Sequence, residues 1–65
     1  MDLLEGEIAV ALEDIAAGSI GKVELRGSSW SARNESERTI GKGERSRVNK
    51  VEGLMLLVRP EGVRE

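Results

Sequence analysis

The chain lacks cysteine, histidine, tyrosine and phenylalanine, and it holds one tryptophan and one proline in 65 residues. Without cysteine, neither a disulfide nor a thiolate metal site can staple the fold. Without histidine, the usual general base of serine and cysteine hydrolases and the commonest zinc ligand are missing, which leaves carboxylates, lysines and hydroxyls as the available chemistry. No apolar run approaches the roughly 20 residues that a membrane-spanning helix needs, and the N-terminus shows no basic stretch followed by an apolar core and a cleavage site. The chain as given is therefore expected to be soluble.

A chain of 65 residues forms one small domain that buries only about 60% of its unfolded surface, so nearly every large apolar residue is needed for the core. Little remains to line a deep pocket. The formal net charge of −2 conceals a segregation along the chain. Residues 1–25 set Asp2, Glu5, Glu7, Glu13, Asp14 and Glu24 against Lys22, whereas residues 26–50 set Arg26, Arg33, Arg38, Lys42, Arg45, Arg47 and Lys50 against Glu35, Glu37 and Glu44. Interleaved strands would blend these into a mixed, solvated surface. The sharper reading is a basic edge that docks on a partner or on an anionic membrane surface.

Hydrophobic periodicity reads as strands throughout. Residues 1–6 place Leu3 and Leu4 among acids and are expected to form a tail, although the leucines could cap a barrel end. From Glu7 to Glu13 the pattern alternates strictly, with Ile8, Val10 and Leu12 on one face and Ala9, Ala11 and Glu13 on the other, which predicts a half-buried strand. A hairpin over Gly18–Ala32 buries Val23, Leu25, Trp30 and Ala32, and a four-residue loop over Arg26–Ser29 sets Leu25 opposite Trp30. Ile20 and Val23 are an odd number of residues apart, so a bulge at Gly21 is expected to bring them to one face.

Residues 33–39 have no apolar member and read as an exposed connection. Ile40, alone before Gly41-Lys42-Gly43, is expected to plug an open barrel end. That glycine pair fits neither the P-loop nor the dinucleotide pattern. Val48–Val51 and Leu54–Val58 flank Glu52-Gly53, a two-residue turn signal. A regular hairpin there would bury Arg47 and Asn49, whereas a bulge at Asn49-Lys50 aligns Ser46, Val48 and Val51 with Leu54, Leu56 and Val58. Pro60 ends the last strand, and residues 61–65 read as a second tail. Five short strands, two bulges and no helix predict an all-β fold, a small five-stranded OB-like barrel over residues 7–60, with an SH3-like barrel as the alternative.

Gly21-Lys-Val-Glu-Leu-Arg-Gly-Ser-Ser-Trp-Ser-Ala32, then Ile40-Gly-Lys-Gly43, Val48-Asn-Lys-Val51-Glu-Gly53 and Leu56-Leu-Val-Arg-Pro60 together give a series that resembles the soluble C-terminal domain of NfeD-like proteins. The resemblance covers Gly6 to Pro60. Two positions depart from it, since Ser46 and Asn49 stand where the pattern usually has apolar residues. It implies an OB-fold interaction domain without catalytic activity, displayed beside a membrane. Its partner would be a stomatin-like or prohibitin-like (SPFH) membrane protein, assisted in membrane-protein organisation or quality control. Family members typically carry transmembrane helices ahead of this domain, and some carry a serine-protease domain; neither lies in these residues, so no proteolytic activity is carried over.

The candidate contacts are Trp30 with the exposed edge of its strand, Arg33, Arg38, Arg45 and Arg47. Trp30 has a competing role as a core residue. An open barrel would also leave strand edges through which copies could self-associate. The alternative function is an OB-fold oligonucleotide-binding module, which stacks bases on aromatic side chains; one aromatic residue and a net acidic charge disfavour it. An enzyme built from Ser28, Ser29, Ser31 or Ser46 with Lys22, Lys42 or Lys50 lacks any spacing that supplies an oxyanion hole or a pocket. No catalytic residue, cofactor, metal or nucleic-acid partner is expected.

Overall fold

Alternating side chains carry the chain into β1 (Ile8–Ala11), β2 (Ile20–Leu25), β3 (Ser28–Asn34), β4 (Arg45–Glu52) and β5 (Met55–Pro60), with no helix among the described residues. The computed structural model describes residues 4–61. Residues 1–3 of the first expected tail, Leu3 among them, and residues 62–65 of the second lie outside the described residues. Leu4 packs against the core, and the Gly6 amide donates to the Val48 carbonyl at 2.8 Å.

The strands close into a barrel in the order β1-β2-β3-β5-β4, the small five-stranded barrel that the pattern predicts. Every neighbouring pair is antiparallel except β3 and β5, which run parallel. Closure corrects one expectation. The Trp30 strand pairs with β2 on one side and β5 on the other, so it offers no free edge of the kind an open barrel would have.

The hairpin joining β2 and β3 is tighter than expected. Its loop is the two residues Arg26 and Gly27, with φ of 55° and 78°, a type I′ turn whose twist matches the strands it joins. Leu25 therefore faces Ser28, and Trp30 faces Val23 rather than Leu25. The turn between β4 and β5 also sits one residue later than Glu52-Gly53. Glu52 pairs with Met55, and Gly53 at φ 61° begins a type II′ turn that leaves Leu54 outside the barrel, 84% exposed.

Ladder register settles the two bulges in opposite ways. Between Val48 and Lys50 the β4–β5 register shifts, leaving Asn49 as the extra residue and returning Val51 to the inner face with Val48 and Ser46. No bulge exists at Gly21: the β2–β3 ladder runs unbroken from Ile20 to Leu25, and Ile20 points outward, 52% exposed. Gly21 instead makes room. A Cβ built there would lie 2.6 Å from Cγ1 of Ile15, so the missing side chain is what lets Ile15 enter the interior.

The inner face of β1 is the reverse of the simplest burial argument. Ala9 and Ala11 are buried, while Ile8 and Val10 are only half-buried and Leu12 is 42% exposed. The interior is already occupied by Ile15, Ile40, Val23, Val48, Leu56 and Val58, all fully buried, and only small side chains fit opposite them. Ile40 closes one end of the barrel, exchanging backbone hydrogen bonds of 2.8 and 2.9 Å with Ile15.

The connection after β3 is not simply exposed. Asn34 is fully buried and ties that end together: its Nδ2 donates to the carbonyls of Ile15 at 3.0 Å and Arg38 at 2.7 Å, and its Oδ1 accepts from the Ser36 amide and hydroxyl. Ser46, the other buried polar strand residue, donates to the Ala9 carbonyl at 2.9 Å. Among the described residues no buried side-chain nitrogen or oxygen lacks a partner.

The Gly21–Ile15 contact predicts that Gly21→Ala lowers unfolding free energy by about 1–3 kcal/mol in urea titration. In an Ile15→Ala background the same substitution is expected to cost much less. Equal costs in both backgrounds would show that the two residues do not share one space.

Candidate functional site

Closure with a parallel β3–β5 pair brings side chains that are far apart in sequence onto one outer surface. Outward residues fall into rows across the strands. One row runs from Ile20 on β2 through Arg33 on β3 and Leu57 on β5 to Lys50 on β4. The next row along β4 and β5 pairs Arg59 with Arg47, and Arg47 in turn faces Ile8 on β1. Beyond it, Arg45 faces Val10, whose other neighbour is Glu24 on β2.

Three of the five predicted contact residues, Arg33, Arg45 and Arg47, thus share one face. Two residues missed by the sequence reading, Lys50 and Arg59, complete it. Leu57 lies inside this cluster and is only 8% exposed, flanked by Arg33 and Lys50, whose long apolar stems shield a neighbour while their charged heads stay in water. The carboxylates bordering the face are Glu24 (across Val10 from Arg45), Glu52 (two residues along β4 from Lys50) and Glu61. Glu61 accepts from Nε of Arg45 at 2.9 Å and lies 3.9 Å from Nη2 of Arg47. Both arginine side chains remain more than half exposed, at 63% and 56%, so their donors are not used up.

The other two candidates lie elsewhere. Arg38 sits in the connection at the end closed by Ile40 and forms an ion pair with Glu44 at 3.2 Å. Trp30 points inward at β3, half-buried against the core, with its Nε1 donating to the Leu25 carbonyl at 3.3 Å. That is the geometry of a packing residue with one polar atom satisfied. Among the described residues, no group of three or more acidic residues could hold a metal ion. What the outer face offers is charge and aliphatic surface. Guanidinium groups so placed can pair with carboxylate-bearing or other anionic groups.

Residues 1–60 match the family of NfeD-like C-terminal, partner-binding domains. The structure is similar to the C-terminal domain of stomatin operon partner protein 1510-C from Pyrococcus horikoshii, with a TM-score of 0.80 and 34% sequence identity over 95% of this chain and 91% of that one. It is also similar to the soluble domain of a membrane protein implicated in regulation of membrane protease activity from Corynebacterium glutamicum. There the TM-score is 0.80 and the identity 38%, over 91% of this chain and 94% of that one. No curated protein matches the chain.

Trp30→Ala is expected to lower stability by about 2–4 kcal/mol in urea denaturation, the range of a large aromatic removed from a packed site and left partly exposed. Trp30→Phe, which keeps most of the ring volume and loses the indole donor, should cost about 1 kcal/mol. An alanine variant as stable as the parent would remove Trp30 from the core.

Proposed function

Because the chain belongs to the family of NfeD-like C-terminal, partner-binding domains, we propose that its barrel is a non-catalytic docking module for a stomatin-like or prohibitin-like membrane protein. The observation that carries this reading is the likeness, over nearly the whole length of both chains, to the C-terminal domain of a stomatin operon partner protein. The full-length protein is then membrane-associated, as the second similar structure supports, being the soluble domain of a membrane protein. Holding its partner beside the bilayer, the barrel assists that partner in organising or maintaining membrane proteins.

The surface supports a docking role in its own right. Arg33, Arg45, Arg47, Lys50 and Arg59 gather on one face, although only the first three were legible as candidates. Arg47 and Arg59 stand directly opposite each other across the β4–β5 ladder. Like charges in that position cost stability, and a partner's carboxylate placed between them would turn the cost into a contact. A base-stacking function has no such support, since the one aromatic side chain is turned into the barrel.

The test is retention of a detergent-purified stomatin-like protein on the immobilised chain at physiological salt. Saturable binding is expected, weakened at least about tenfold by the double charge reversal Arg47→Glu with Arg59→Glu, while Arg38→Glu changes it less than about twofold. Absence of saturable retention by the parent chain would contradict the proposal.

A further inference from the structure

We propose that the partner sits on the outer face of β1, and that its contacting part is an amphipathic segment with aliphatic side chains along its centre and carboxylates along the edge that meets β4. The inference rests on the docking reading above and specifies its surface. Solvated strand faces are ordinarily polar, as on β2, where Lys22 and Glu24 point outward, or on β4, where Arg45 and Arg47 do. On β1 the outward residues are Ile8 and Val10, followed by Leu12, with no polar member among them. Leu12 donates its amide to the Lys22 carbonyl, so the strip meets Lys22 on β2, two residues along that strand from the exposed Ile20.

Charge is divided across this strip. On the β4 side stand Arg45 opposite Val10 and Arg47 opposite Ile8, with Arg59 behind Arg47. On the β2 side Val10 meets Glu24. Of the other acids near the strip, Glu7 pairs with Arg26 at 2.8 Å, Glu13 accepts the Lys22 amide, Glu44 pairs with Arg38, and Glu61 lies against Arg45 and Arg47. Glu5 is exposed one residue before Gly6, whose carbonyl accepts from Nη1 of Arg47 at 3.2 Å. A flat anionic bilayer would meet Glu24 and Glu61 together with the arginines. A polypeptide segment can match the division, setting its carboxylates against β4 alone. Recognition must also run through side chains, because the closed ladder leaves no strand edge for an added strand.

The experiment uses the whole chain labelled with nitrogen-15 and two synthetic probes, a short peptide alternating leucine and glutamate and its leucine–lysine counterpart. The glutamate peptide is expected to shift amide signals of residues 8–12 and 45–47 in a saturable manner. Arg45→Ser with Arg47→Ser, and separately Leu12→Ser, should each weaken it by about tenfold or more. These side chains are exposed, and an unchanged spectrum of the free variants verifies the fold. Saturable shifts centred on Trp30 or on the Arg33–Leu57 row, equal binding of the lysine peptide, or no saturable binding of either peptide would each overturn the proposal. Failure of a stomatin-like protein to bind, alongside a positive result here, would overturn the identity of the partner and leave the surface standing.

Discussion

The narrow interior of a five-stranded barrel is the constraint on which the rest of this structure depends. Once Ile15, Ile40, Val23, Val48, Leu56 and Val58 fill it, the remaining inner positions must be small. Gly21 gives up its side chain to Ile15, Ala9 and Ala11 line the inner face of β1, and Ser46 stands in for an apolar residue by donating to the Ala9 carbonyl. Filled interiors tolerate an added methylene poorly, so these substitutions to small residues are part of closure itself. What cannot be housed inside is carried outside. Ile8 and Val10 on β1, with Leu12 just past its end, form an apolar outer strip.

That displacement links packing to function. A domain this small has few large aliphatic residues, and leaving Ile8 and Val10 half-buried and Leu12 exposed forfeits part of a burial worth roughly 25 cal/mol per Å². This apolar strip beside oriented charge is the surface that the proposed docking on β1 would cover. The face next to it adds the cations of β3, β4 and β5, assembled from residues as distant in sequence as Arg33 and Arg59. A membership among partner-binding domains and a likeness to a stomatin operon partner's domain agree with that physics.

Much of the ladder was legible because some registers are forbidden. Burying Arg47 and Asn49 would have been costly, so the pattern alone favoured a bulge at Asn49-Lys50, and the register shifts there, with Asn49 as the extra residue. Ile40 could be placed because an isolated aliphatic residue in a polar stretch needs a sink, and the barrel end provides it. The facing of β1 was not legible. Alternation distinguishes two faces but does not say which one turns inward when space rather than hydrophobicity decides. Gly21 misled for the same reason: a glycine in a strand marks either a bulge or a close approach, and only the position of Ile15 discriminates between them. Asn34 and Ser36 read as loop residues because a polar network buried at a barrel end has no hydrophobic signature. Lys50 and Arg59 were missed because their proximity to Arg33 and Arg47 is created by register and by the parallel β3–β5 pairing.

One comparison reaches the central claim, that a full interior and not hydrophobicity sets the facing of β1. The unfolding free energies of Ala9→Val and Val10→Thr, measured by urea titration under identical conditions, place the two faces in direct opposition. The valine substitution should cost about 1–3 kcal/mol, because it adds methyl groups where none fit, while the threonine substitution on the outer face should stay within about 0.5 kcal/mol of the parent. A neutral or stabilising Ala9→Val together with a strongly destabilising Val10→Thr would mean that the aliphatic row belongs to the core, and the outer strip would not exist.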